Sequence, residues 1–280
     1  MVDNASTDDT TEAVTSAAAQ SPWPIRLVRE PQLGLSPSRN RALAESQAPI
    51  ALFTDDDVEV CAGWADAMFA RFADESVGAV GGRIFPNWEH PPPEWLQGWW
   101  LDLLALHDYG NSPIELSPAQ PPIGANMAVR RDLLPTPAFS LRLGYRGAAT
   151  VGSAEFRLMD VVAREKRLVY EPSAAVRHFV PANRMTRSAM RRASLHNGMG
   201  SSRRDAMRGM GVSRLRAVRH VPGEWRLARR IKSINDRAAV FTADAADAEF
   251  DAFTRLGKIL DAALGSKPGR IADWVTSLQV

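Results

Sequence analysis

The sequence predicts an α/β protein with a Rossmann-like, mostly parallel sheet followed by a helical C-terminal extension. Three features of its 280 residues carry that expectation. Short apolar runs of strand length alternate with segments of helix length, the pattern of successive βα units. One run, Ile50-Ala51-Leu52-Phe53, is apolar throughout, as in strands covered on both faces, and it leads into Asp55-Asp56-Asp57. Beyond Arg184 the strand-like runs stop and the chain reads as helix, which divides it into residues 1–183 and 184–280.

Val2 closes a strand, and Asp3 to Thr10 form a polar turn. Ser6 followed by Asp9 fits a capping box, with Ala13, Val14, Ala17 and Ala18 on one face of the helix it starts. Pro22 and Pro24 end that helix, and Ile25 to Val28 make a short strand. After a loop containing Gly34, Ser36 is read as an N-cap and Pro37 as the first helical residue of a helix running to about Gln47. Past the Ile50 strand come a helix near Gly63 to Ala73 and a strand near Ala79 to Phe85. Between Pro86 and Pro122 the pattern loosens around Pro91-Pro92-Pro93 and the tryptophans Trp88, Trp95, Trp99 and Trp100. Buried packing is the commoner use of such tryptophans, and a platform for a ring-shaped substrate is the functional alternative. Strands return at Asn126 to Arg130, Leu168 to Tyr170 and Val176 to Phe179, with a helix from about Glu155 to Glu165. In the C-terminal region Gly198, Gly200, Gly209 and Gly211 are expected to cut the chain into short basic helices. A longer helix follows, from about Asn235 to Leu264.

Hydrophobic residues make up 45% and charged residues 24%, enough apolar material for a sizeable core, which excludes a mainly disordered chain. The single cysteine, Cys61, excludes an internal disulfide framework and a cysteine-based zinc site. No apolar run approaches the roughly 18 residues that span a bilayer, and the N-terminus has no basic-then-apolar leader. The expected location is the cytoplasm. The net charge of +2 conceals an asymmetry: residues 184–232 hold 14 Lys and Arg against Asp205 and Glu224, about +12, which leaves about −10 elsewhere.

Asp55-Asp56-Asp57 carries the chemistry. The C-terminal end of a parallel strand faces the crevice where open α/β sheets bind ligands. Three carboxylates there repel one another unless a cation or cationic group lies among them. Oxygen ligands of this kind favour magnesium, manganese or calcium, and magnesium is commonly held by one or two carboxylates plus substrate phosphates. A calcium loop of the EF-hand type fits poorly, because Val60 stands at its glycine position. A solvated acidic turn before a helix is the bland alternative. There is no Gly-x-Ser-x-Gly elbow, no P-loop and no Gly-x-Gly-x-x-Gly after a strand.

Several stretches occur in a telling order: Asp3-Asn4-Ala5-Ser6-Thr7-Asp8-Asp9-Thr10, Gly34-Leu35-Ser36, Ser38-Arg39-Asn40 and Phe53-Thr54-Asp55-Asp56-Asp57. They continue with Val80-Gly81-Gly82-Arg83-Ile84, Gly124-Ala125-Asn126-Met127-Ala128-Val129-Arg130-Arg131 and Leu168-Val169-Tyr170-Glu171-Pro172, ending near Val176-Arg177-His178 and Arg184-Met185-Thr186. Over about the first two thirds of the chain this resembles the family 2 glycosyltransferases of the type A (GT-A) fold. The resemblance implies transfer of a sugar from a nucleotide-diphosphate-sugar donor to an acceptor hydroxyl, with inversion and with a divalent cation, Mn2+ or Mg2+. It implies donor contacts from Asp3, Arg39, Asp55 and Asp56, and metal contacts from Asp57 and His178. A departing nucleoside diphosphate gains negative charge that a cation stabilises.

Two departures accompany the resemblance. The family's acceptor-activating acid lies in a Gly-Glu-Asp stretch, which here reads Gly152-Ser153-Ala154-Glu155, so that Glu155 takes the catalytic role if the helix start shifts toward it. The family's opening strand and helix are absent, which leads us to expect that Met1 is a mis-set start or that the chain is a fragment. A non-catalytic relative is the principal alternative. A nucleotidyltransferase ranks below it for want of a glycine-rich basic triphosphate loop. The expected partners are the donor and a carbohydrate or lipid-linked acceptor. For residues 184–232 a solvated charged face, with Ala and Met packed against the domain, is the commonest use of such a run; an anionic membrane surface is the leading functional reading, at the inner face of the membrane, and nucleic acid ranks behind it because no recognised motif accompanies the charge.

Overall fold

The computed structural model describes residues 1–141, 144–146, 149–151 and 154–265. The chain opens with β1 (Val2–Asp3), α1 (Thr10–Gln20), β2 (Val28–Arg29) and α2 (Leu35–Glu45). The first helix starts later than a capping box at Ser6 would place it. The Ser6 amide instead donates to the Asp3 carboxylate at 2.8 Å, and Ala5 takes a positive φ of 59°, which turns the chain away from helix. The Asp8 carboxylate then receives the Thr10 amide at 3.1 Å. The β2 strand is shorter and later than expected, because β1 offers only two residues and pairs Val2 with Val28 and Asp3 with Arg29. At α2, Gly34 rather than Ser36 holds the cap position, and Pro37 sits within the first turn, where its missing N–H costs nothing.

The main sheet is built from β3 (Ile50–Thr54), β4 (Val58–Val60), β5 (Val77–Trp88), β6 (Ile114–Leu116), β7 (Asn126–Arg130) and a long last strand. A separate hairpin, β8 (Gly144–Arg146) with β9 (Ala149–Val151), precedes that last strand, β10 (Arg167–Val180). The order is β3-β7-β5-β10-β4, with β6 also on β10. The strands β3, β5 and β10 share one direction, and β4, β6 and β7 run against them. The two short strands expected at Leu168 and Val176 are one strand, interrupted by a register shift between Glu171 and Val176. Glu171 is fixed there by an ion pair with Arg71 and by the Ser173 amide, so the Tyr170-Glu171-Pro172 run serves the shape of the sheet.

Both faces of the sheet are covered, and the alternation of side chains decides what covers them. Met127, Val129, Leu168 and Tyr170 join one core with Leu158 of α4 (Ala154–Val162). Their in-between neighbours Ala128 and Val169 face Met68 of α3 (Trp64–Arg71) on the other side. The helical region consists of α5 (Arg187–Met207), α6 (Arg214–Arg237) and α7 (Ala243–Leu264). Its Leu195, Met199, Phe253 and Leu256 belong to the same core as Met127 and Leu158. Trp100 and Trp95 pack edge-on against Phe250 of α7, which makes these two tryptophans packing residues.

The glycines of α5 do not break it. Gly198 and Gly200 lie within a helix of 21 residues. A Cβ on Gly198 would stand 1.9 Å from the Thr254 carbonyl oxygen, and one on Gly257 would stand 1.9 Å from that of Leu195. The pair thus permits α5 and α7 to cross with backbones nearly touching. The chain turns instead at Gly209, with φ of 74°, and again between α6 and α7.

Candidate functional site

Two strand ends build the site. After Thr54 the chain turns through Asp55, Asp56 and Asp57 into β4, whose antiparallel pairing with β10 sets Val58 opposite His178. The Phe179 amide donates to the Asp57 carbonyl oxygen at 2.9 Å and fixes that register. His178 is buried, and its Nε2 lies 3.3 Å from Oδ2 of the more exposed Asp57. Hydrogen bonding from His178 is the largest influence on the Asp57 carboxyl and holds it below the ordinary carboxylate value. The His178 Nδ1 is buried without a hydrogen-bond partner among the described residues.

Arg39 forms the second part. It reaches from α2, is buried, and forks between two carboxylates, donating through Nη1 to Glu155 and through Nη2 to Asp55 Oδ1 at 3.2 Å. Burial works against its charge, and the carboxylates of Glu155 and Asp55 more than offset this, holding Arg39 above its usual value. Burial pushes the Asp55 carboxyl up; Arg39 pulls the other way, and the charges of Glu155 and Asp57 add to the rise.

The surroundings explain how an arginine fits here. A Cβ on Gly124 would stand 2.2 Å from Arg39 Nη2, so only glycine leaves the guanidinium its place. On another side the guanidinium lies 5.5 Å from the centre of the Phe139 ring. Asn40, the next residue of α2, grips that same segment: its amide donates to the Phe139 carbonyl at 2.8 Å and accepts the Phe139 amide at 2.9 Å. The Ser38-Arg39-Asn40 run is therefore a single device, in which Asn40 pins the chain that Arg39 lies across.

Asp3 is buried at the end of β1, and the bonds from Ser6 hold its carboxyl below the ordinary value. Beside it, Asn4 donates to the carbonyls of Glu30 (3.0 Å) and Gln32 (2.8 Å) and accepts the Gly34 amide at 2.7 Å, which sews the loop before α2 to β1. Of the residues singled out in the sequence, the structure joins Arg39, Asp55 and Glu155 in one bonded group and Asp57 and His178 in another. Asp3 is bonded to Ser6 rather than to either group, and Asp56 lies exposed in the turn. Gly152 and Ser153 lie outside the described residues; Glu155 is the second residue of α4.

Three contributors carried no role in the sequence reading: Asn40, Gly124 and Asn126. Asn126 is fully buried, accepts from Trp64 Nε1 at 2.7 Å and donates to the carbonyls of Arg83 and Ala174 at 2.9 and 2.8 Å. It locks the start of β7, opposite Thr54 at the end of β3, to β5, β10 and α3. The available signal was a polar residue opening an otherwise apolar strand, which must be hydrogen-bonded if buried.

The donor set suits a divalent cation in part. One carboxylate oxygen and one imidazole nitrogen, 3.3 Å apart, would supply two of the coordination positions that such a cation needs. No group of three His, Cys, Asp or Glu side chains converges among the described residues. The remaining positions would fall to diphosphate oxygens and water, the usual arrangement for magnesium.

Acids close β3, a histidine lies on β10 and helices cover both faces of the sheet, and the fold is of the GT-A type. Residues 1–135, just under half of the chain, match the family model of glycosyl transferase family 2. Among solved structures it shares its fold with the mannosyltransferase PcManGT from Pyrobaculum calidifontis, solved in complex with GDP-Man and Mn2+. The identity is 19% and the TM-score 0.53, over 94% of this chain and 75% of that one. GalNAc-T7 with UDP, GalNAc and Mn2+ matches at 13% identity and a TM-score of 0.47, over 72% of this chain; the chain spans less than half, 43%, of its length. TarS 1–349 of S. aureus matches at 16% and 0.44, over 92% of this chain and 80% of that one. No protein of curated function matches the sequence. No helix among the described residues is long and apolar enough to cross a membrane.

Proposed function

We propose that this protein is an inverting, cation-dependent glycosyltransferase (a hexosyl-type transferase) that moves a sugar from a nucleotide-diphosphate donor to an acceptor hydroxyl. The observation that carries this reading is the pairing of Asp57 with His178 beside the Arg39–Asp55–Glu155 group. The family match and the Mn2+ and GDP-Man bound to the Pyrobaculum enzyme support it. Asp57 and His178 would hold the cation, which when bound acts as a Lewis acid toward the departing diphosphate. Asp3, Asp55 and Asp56 contact the nucleoside of the donor, and Arg39 supports that pocket.

In a single displacement the acceptor oxygen bonds to the anomeric carbon as the bond to the nucleoside diphosphate breaks. Glu155, as general base, removes the hydroxyl proton. Arg39 orients the Glu155 carboxylate and keeps it from repelling Asp55. The acceptor class is a carbohydrate or a lipid-linked sugar of the cell envelope, met at the inner face of the membrane, with the basic helical region 184–280 toward the lipid and the catalytic domain spanning residues 1–183.

Thermal-shift measurements with nucleotides and sugar nucleotides, with and without Mn2+, test this reading. One nucleotide should raise the melting temperature in a cation-dependent way, and Asp57→Ala should abolish the rise. Glu155→Gln should keep the rise and lose turnover by about 100-fold or more. No shift with any nucleotide would overturn the donor site itself.

A further inference from the structure

The basic segment divides in two once its side chains are placed. Four of the five arginines of α5 are engaged within the protein, and the exposed Arg192 bonds Ser188 on the same helix. Arg191 pairs with Glu249 and Asp236, Arg203 with Asp261 at 2.8 Å and Arg208, just past the helix end, with Asp160. Arg187 lies 3.9 Å from the Phe241 ring centre and Arg204 4.0 Å from that of Phe156. None of these is presented to a partner.

The helix α6 is different. Ala217, Ala228 and Asn235 are buried, and Val221 and Ile231 pack on the core, so one stripe faces inward. Its two acids are turned to internal partners, Glu224 to Arg255 and Asp236 to Lys232 and Arg191. The opposite side carries Arg216, Arg219 and Arg230, exposed, with side chains that make no hydrogen bond or ion pair among the described residues. Alongside them stand large apolar side chains in water: Leu215 is 66% exposed, Ile234 59%, Val218 51% and Leu227 40%. At 24 residues the helix is about 36 Å long, and it carries eight Lys and Arg against the two acids.

We propose that the outward face of α6 is the surface by which this protein sits on an anionic phospholipid bilayer. The proposal deepens the membrane placement in the functional reading above and does not depend on the donor chemistry. Interleaved arginine and aliphatic residues on a helix lying flat suit the boundary of headgroups and acyl chains, where guanidinium groups bind phosphate and Leu, Val and Ile enter the apolar layer. A second copy of the chain would set like charges against one another. A nucleic acid would use the arginines and leave Leu215 and Ile234 in water.

The experiment is co-sedimentation of the full chain with phosphatidylcholine vesicles, with and without phosphatidylglycerol. Binding should require the anionic lipid and should fall at least about tenfold in the triple variant R216E/R219E/R230E. The charge-conserving variant L215S/I234S should also bind several-fold more weakly, which separates insertion from charge alone. Nucleotide-induced thermal shifts should be unchanged in both variants, which keeps this test distinct from that of the donor site. Equal binding to neutral vesicles, no binding to anionic ones, or undiminished binding by L215S/I234S would overturn the proposal. Retention of that variant on duplex DNA with parental affinity would mark the face as a nucleic-acid surface instead.

Discussion

Arg39→Ala should lower stability by about 3 kcal/mol at neutral pH and remove turnover. Among the described residues the guanidinium is the only cation bonded to both Asp55 and Glu155, and removing one partner of a buried ion pair leaves charge without compensation. Two carboxylates would then face each other with Asp57 nearby. The cell they occupy cannot collapse, because Asn40 still holds Phe139 in place. Protonation relieves part of this cost. Burial already raises the Asp55 carboxyl, and without Arg39 it rises further. A group whose folded-state value is raised favours folding while it is protonated and loses that contribution as pH rises. The deficit of the variant relative to the parent should therefore shrink from pH 7.5 toward pH 5. Urea titrations of parent and variant at the two pH values read it directly; an equal deficit at both would refute the bridge. Arg39→Lys keeps the charge but cannot fork to two carboxylates, so it should retain stability better than activity.

The second large effect is expected far from the site. Glu249 is fully buried on α7 and accepts from Arg191 Nε and from Asn235 Nδ2 at 2.7 Å, while Arg187 approaches to 3.8 Å. One carboxylate thus ties together α5, α6 and α7. Glu249→Ala should cost about 3–5 kcal/mol, because the buried Arg191 guanidinium keeps only Asp236, at 2.8 Å. Adding Arg191→Ala to that variant should cost little more, since the two act as a unit. Thermal unfolding of the two single variants and the double gives the coupling. Additive losses would show that the pair contributes separately.

The contrast between these two sites shows what a sequence can carry. The acids after β3 were legible because they close an uninterrupted apolar run, and β7 appears at its predicted bounds for the same kind of reason. For Arg39 the resemblance implies a donor contact and nothing more. Its partner Glu155 lies on α4, and nothing local to either residue announces a contact made only when α2 and α4 meet. The glycines of α5 were misread through the opposite error. Glycine is a weak helix former, so Gly198 and Gly200 suggested breaks, whereas the structure uses Gly198 for a close crossing with Gly257. Ser6 misled in a third way, since the Asp3 carboxylate took the amide that a capping box would have used. Local preference loses wherever a distant group competes for the same atoms.

The β1–β2 pair has a further consequence. Among the described residues no strand pairing joins it to the six-stranded sheet, and α1 buries only Val14. The loop before α2 is tied to it mainly by Asn4. Protein segments with so little burial open at lower free energy than the core around them, so amides of residues 1–34 should exchange with solvent ahead of those in β5 and β10. Asp3 is therefore expected to open with this unit, ahead of the core. A donor that grips only its closed form binds in proportion to how often that form exists, and in binding it completes the fold.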